Sequence, residues 1–223
     1  MSTSPVASVV FLKVQEFSRR AASEQARLRA QLEAALAITL AEIEPASRVV
    51  LEAADGAAVV VLGDPRGALR LGERSLAASA AGLPLSAGVN HGAVQVLEKG
   101  GMTGDGIAVA AAIAEHAPPS RLLASRSFRD AIADLSPGLE STLVPAGTFT
   151  DAGLRSHEVF APDAAAPRRR GRRYGVASLV LVLALVGGGL AARVAKEGRE
   201  PFVNAVAQKV QPYWRDLVRK VRY

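Results

Sequence analysis

The chain has 223 residues, 49% of them apolar and 22% charged, which suits one packed domain with extensions. Cysteine is absent, which excludes a disulfide framework and any thiolate-ligated metal. The net charge of +6 hides a division: residues 1–163 carry 14 Lys/Arg against 18 Asp/Glu, a net of −4, whereas residues 164–223 carry 13 against 3, a net of +10. A mildly acidic domain with a basic tail points to an anionic surface as partner, lipid or nucleic acid.

Aromatics make up only 4% of the chain, so the core must be built from Ala, Val, Leu and Ile. Residues 6–12 (VASVVFL) form a short apolar, β-branched run and predict a strand. Residues 23–44 are rich in good helix formers and predict a helix whose core face is Leu28, Leu32, Ala35, Ile38 and Ile43. Strands are expected over 48–52 and 57–62, around Asp55-Gly56, a strong hairpin signal. Pro65 opens a helix running to residue 81. Residues 85–90 and 93–97 predict a second hairpin. A helix is expected over 105–116, a strand over 121–124, a short helix over 128–135, and closing strands over 143–146 and 157–160. The order begins β-α-β-β-α-β, which predicts an α+β fold with a ferredoxin-like core, a mostly antiparallel sheet and its helices on one face. The domain is expected to end at residue 162.

Residues 163–173 read as a linker ending in an Arg cluster: Arg168, Arg169, Arg170, Arg172 and Arg173. Residues 174–192 (YGVASLVLVLALVGGGLAA) carry no charge. As a helix they span ~28 Å, close to the ~30 Å hydrocarbon core of a bilayer. Tyr174, Leu179, Leu181, Leu183, Leu185 and Leu190 are its anchoring side chains. The alternative, a buried core helix, fits less well, because charges flank the run tightly and no polar face interrupts it. This favours membrane lipid over nucleic acid as the tail's partner. The Arg cluster places the N-terminal domain in the cytoplasm of a single-pass protein, and residues 6–12 are too short for a secretory signal. A nuclear-localisation reading of the Arg cluster is the weaker one. Residues 193–223 form a basic tail in which Phe202, Val206, Val210, Trp214 and Leu217 recur at helical spacing, with Pro212 breaking the helix. That pattern suits a lipid interface, or a helix packing on a protein partner.

Within the domain, four segments resemble the catalytic domain of class III adenylate/guanylate cyclases. VVFLKVQEFS (9–18) is similar to that family's opening FxDIxGFS, and EAADGAAVVVLGDP (52–65) to its GDG hairpin. LPLSAGVNHGAV (83–94) is similar to its xIGIxxGxV strand pair, and TGDGIAVAAAIAEHA (103–117) to its GxxVNxAxRL helix. The resemblance covers residues 6 to about 162. It implies an active site between two subunits, where two carboxylates hold two metal ions that activate the ribose hydroxyl and grip the triphosphate. The carboxylate positions fall on Lys13 and Asp55, the base-selecting lysine on Leu51, and the Asn and Arg that orient ribose and stabilise the transition state on Ala108 and Ala112. Only Asp55 keeps the family's residue type, so no catalytic residue is assigned.

Asp55 is readable as a residual metal ligand or as a turn residue beside Gly56. Lys13 either pairs with Asp55 or is solvated. His91, His116 and His157 lie in no metal-ligand spacing. Gly104-Asp105-Gly106 precedes a helix, but Asp105 opposes an anion there and suits N-capping better.

The leading expectation is therefore a non-catalytic cyclase-homology domain on a membrane, acting in signalling by binding a partner or by dimerising, as a homodimer or a heterodimer with another cyclase-like chain, with no cofactor. The alternatives are an active adenylate or guanylate cyclase using Mg²⁺ or Mn²⁺, and a structural membrane protein with a lipid-binding tail.

Overall fold

The computed structural model describes residues 5–79, 82–97 and 101–163. They belong to one compact unit that ends at Asp163. The span at 174–192, its Arg flank and the tail at 193–223 lie outside the described residues. Among the described residues no helix is long and apolar enough to cross a membrane.

The elements follow as β1 (Val6–Val14), α1 (Ala22–Leu40), β2 (Arg48–Ala53), β3 (Gly56–Val61), α2 (Pro65–Ala78), β4 (Leu85–Ala93), β5 (Gln95–Val96), β6 (Met102–Thr103), α3 (Asp105–His116), β7 (Leu122–Ser125), α4 (Arg126–Leu135), β8 (Leu143–Thr150) and β9 (Ser156–Pro162). The main sheet runs β2-β3-β1-β4-β7-β9-β8. Its first four strands are antiparallel neighbours in the order a ferredoxin-like β-α-β-β-α-β unit requires. β7 joins β4 in parallel, which needs the crossover that α3 supplies.

Local chemistry sets the helix starts. Asp64 caps α2 by accepting from the Arg66 backbone N–H at 2.9 Å, with Pro65 in the first turn. Ser125 caps α4 by accepting from the Phe128 N–H at 3.1 Å. α1 stops at Leu40, earlier than the expected residue 44; Glu42 and Ile43 donate to the Thr39 and Leu40 carbonyls in a tightened last turn, and Pro45 opens a separate 3-10 turn. Its buried face is Leu28, Leu32, Ala35, Leu36 and Thr39, while Ile38 is 65% exposed, so Ile38 does not belong to the core.

Two expectations are corrected. The helices do not share one face of the sheet. Val10, Leu12 and Val14 of β1 pack with Leu28, Leu32 and Leu36 of α1, Ala68 and Leu71 of α2, and Phe128 and Ile132 of α4. The alternate residues, Ala7, Val9 and Phe11, pack with Ala110 and Ala114 of α3 on the opposite face. A strand buried on both sides reads as a near-continuous apolar run rather than as alternation, which is what residues 6–12 are but for Ser8. The second hairpin also does not form. β4 continues unbroken to Ala93 because it pairs with β1 along its whole length, from Val14↔Leu85 to Val6↔Ala93. The segment after it, β5, pairs with β6 in a separate ribbon.

Candidate functional site

The β1–β3 register places Lys13 opposite Gly56, so the side chain of Asp55 lies beside it at the hairpin turn. The Val14 N–H donates to the Asp55 carbonyl at 2.8 Å and pins the turn against the end of β1. Neither Asp55 nor Gly56 has a positive φ, so the turn does not use the left-handed conformation for which Asp-Gly pairs are usually selected. Gly56 serves close approach instead. A Cβ there would lie 2.0 Å from the Leu12 carbonyl oxygen. Turn geometry thus explains Gly56 through contact with β1, and leaves the Asp55 carboxylate to be explained by its partner.

That partner is Lys13. Its ammonium donates to the Asp55 carboxylate and lies 2.5 Å from Glu115 Oε2. The Lys13 side chain is 14% exposed, Asp55 32% and Glu115 66%. Burial by itself pushes the Lys13 pKa down, but hydrogen bonds and charge from Asp55 and Glu115 outweigh it, and the net shift is upward from 10.5. The stability carried by this charge is therefore complete below the unfolded-state value and is lost as pH rises through the higher folded-state value. Wild-type protein should lose stability more steeply than Lys13→Met between about pH 9 and 12 in urea melts. Parallel curves for the two proteins would show that Lys13 carries no such charge energy.

Glu115 was not found from the sequence, although a signal exists. Ala108, Ala112 and Glu115 are spaced i, i+4 and i+7, so they lie along one face of α3. Ala108 is exposed and Ala112 half-buried. Leu51 is half-buried on β2, opposite Ala58, and packs with the cluster of Val9, Phe11 and Val60 on the α3 side of the sheet. The left-handed turn after β1 supports the register of the opening motif. Glu16 stands where FxDIxGFS has glycine, and its φ is 56°.

The donor set does not fit the two metal ions the resemblance implies. An ammonium has three donors and no lone pair to offer a cation, and its own charge offsets one of the two nearest carboxylates and repels an incoming metal ion. Leu51, Ala108 and Ala112 supply neither hydrogen bonds nor charge. What the arrangement does is hold α3, β1 and the β2–β3 hairpin together through one tethered cation.

The remaining sequence candidates have structural duties. Asp105 is not a cap. Gly104 holds that position, and Asp105 pairs with Arg155. Gly104 and Gly106 let α3 approach β4, since a Cβ on either would lie within 3 Å of the Ala93 carbonyl oxygen. His91 faces Ser8 across the β1–β4 pair, Nδ1 to Oγ 3.0 Å, and burial lowers its pKa. His116, Phe149 and His157 stack in series, with centroids 4.4 and 5.2 Å apart. Asp151, with a side chain only 4% exposed, accepts from His157 Nε2 at 2.8 Å and from the Arg155 backbone and side chain at 2.9 Å each. The His157 hydrogen bond first, then those from Arg155, hold its carboxyl well below the usual range. This network fastens the β8–β9 hairpin to both ends of α3.

No protein-family model and no curated protein sequence matches the chain. Solved structures do. Adenylate cyclases from Trypanosoma brucei in their monomeric state match with a TM-score of 0.59 at 11% identity, over 71% of this chain and 90% of theirs. The adenylate/guanylate cyclase/hydrolase from Silicibacter pomeroyi matches with a TM-score of 0.55 at 18% identity, over 73% of this chain and all of that one. The non-canonical dimeric guanylyl cyclase domain of the RhoGC fusion protein from Blastocladiella emersonii matches with a TM-score of 0.54 at 15% identity, over 72% and 98%. With its sheet order, its helices on both faces and these likenesses together, the chain has the fold of the adenylate/guanylate cyclase domains.

Proposed function

We propose that this chain is a membrane-anchored, non-catalytic cyclase-homology domain that works in signalling by associating with a second domain of its kind. The observation that carries the reading is Lys13, held between Asp55 and Glu115 where a working site would need a cation ligand. A site built this way holds a cation of its own in place of a bound metal. Leu51, Ala108 and Ala112 remove the polar groups a nucleotide would need, and leave an apolar or neutral surface in their place. Such a surface suits contact with protein better than contact with a triphosphate. The solved Blastocladiella domain is described as dimeric, which supports association as the activity this fold can retain without chemistry.

The anchor is residues 174–192, with the Arg cluster at 168–173 on the cytoplasmic side and the basic tail beyond. Its support is the uncharged run and the −4 against +10 division of charge. Deleting residues 174–223 should move the protein from the membrane pellet to the soluble fraction as a folded domain. Sedimentation of the truncated protein with membranes after a high-salt wash contradicts the anchor.

A further inference from the structure

The face of the sheet opposite Lys13 holds a cavity of about 260 Å³ between α1 and the β2–β3 hairpin. Its wall is apolar: Leu32, Leu36 and Leu40 from α1, and Val50 and Ala57 from the hairpin. Ala37 on α1 and Ala57 on β3 are among its lining residues, and their small side chains leave room in the wedge. The space exceeds the ~150 Å³ at which an apolar protein cavity takes up benzene. It therefore accommodates a hydrocarbon chain or a substituted ring.

The mouth sets the charge of the occupant. Arg29, Glu33 and Glu52 stand around it. Arg29 is already engaged: it donates to the Ala54 carbonyl at 2.9 Å, and its guanidinium lies 5.6 Å from the centre of the Phe17 ring. Asp55 also borders the cavity, but its carboxylate is taken by Lys13. Glu33 and Glu52 form no ion pair among the described residues, and both are exposed at the rim. With Arg29 counted, Glu33 and Glu52 still leave the rim with one net negative charge over an apolar floor, which is complementary to an apolar body that carries a cation.

We propose that this cavity is a binding site for a small amphiphilic amine, its hydrocarbon between α1 and the hairpin and its ammonium between Glu33 and Glu52. The site lies on the α1 face of the sheet, opposite Leu51 and α3, and it does not depend on the proposed function. The occupant would rest against the turn that carries Asp55, so binding would stiffen the hairpin that holds the Lys13 pair.

The test uses residues 1–163, one compact unit that contains every described core residue and matches the whole of a solved chain. Octylammonium, 1-octanol and octanoate are titrated separately by calorimetry in aqueous buffer. Octylammonium should bind saturably, octanol about tenfold more weakly, and octanoate more weakly still, tenfold being 1.4 kcal/mol. Ala37→Leu, an exposed helical substitution that fills the wedge, should abolish all binding. Glu33→Gln with Glu52→Gln should reduce octylammonium to the affinity of octanol. Absence of saturable octylammonium binding overturns the proposal. So does unchanged binding in Ala37→Leu, or octanoate binding as well as octylammonium.

Discussion

Gly88→Ala should cost the domain more than about 3 kcal/mol, a large share of the 5–15 kcal/mol that stabilises a typical domain. Gly88 lies on β4 beneath α3. A Cβ there would sit 2.2 Å from the Ala110 carbonyl oxygen and 2.4 Å from the Ala114 backbone nitrogen. Both are backbone atoms of a helix, so no side-chain rotation relieves the clash. α3 would have to lift from the sheet, opening the cluster in which Val9, Val60, Ala110 and Ala114 are buried. At 2–4 °C per kcal/mol for a domain of this size, the melting temperature should fall by at least about 6 °C. Gly67→Ala on α2 is the control, because its Cβ would meet only Val61 Cγ1 at an ordinary 3.5 Å. That change should be neutral or stabilise by up to about 1 kcal/mol through helix propensity. A Gly88→Ala protein that melts within a degree or two of wild type would mean that α3 does not sit on β4 as described.

Lys13→Asp should destabilise by about 2 kcal/mol, between the values for exposed and buried pairs, because the three side chains are 14%, 32% and 66% exposed. The substitution removes the central cation and puts a third carboxylate beside Asp55 and Glu115. Mg²⁺ or Mn²⁺ should recover part of the loss by binding the folded form of the variant, while leaving wild type unaffected. Asp55→Asn should cost less, since Glu115 still neutralises Lys13. The double mutant should show coupling, the two changes together costing less than their sum. Strict additivity, with no metal effect on Lys13→Asp, would refute the ion triplet.

Much of the fold was legible because local signals and tertiary structure agree. α3 spans residues 105–116 as its alanine-rich apolar pattern predicts, and Asp64-Pro65 starts α2 as a cap followed by proline should. The β-α-β-β-α-β order followed from the run of strand and helix signals. The two-faced burial of the sheet was present in the sequence as a run at 6–12 that is apolar but for Ser8, but a strand of that pattern does not say which helices cover it. The course of β4 past Asn90 was not legible, because its length is set by pairing with β1 rather than by its own Gly and Asn residues. At the site, Lys13 and Asp55 could be placed side by side through the motifs that contain them. Glu115 shares a helical face with Ala108 and Ala112, but that it reaches Lys13 follows only from the packing of α3 on β1 and β4. The wedge beside α1 was equally hidden: alanine is read as core, and only the structure shows where small side chains fail to fill space.

The proposed function holds that this cyclase-like fold does no cyclase chemistry. Its most direct test is nucleotidyl cyclase activity of the purified full-length protein, with ATP or GTP and with Mg²⁺ or Mn²⁺. Metal positioning and transition-state charge stabilisation each contribute several kcal/mol in such transfers. With Lys13, Leu51, Ala108 and Ala112 in the site, cyclic nucleotide formation should not rise above the no-enzyme background under any of these conditions. Sustained formation of cyclic AMP or cyclic GMP that is abolished by Asp55→Ala would contradict the account.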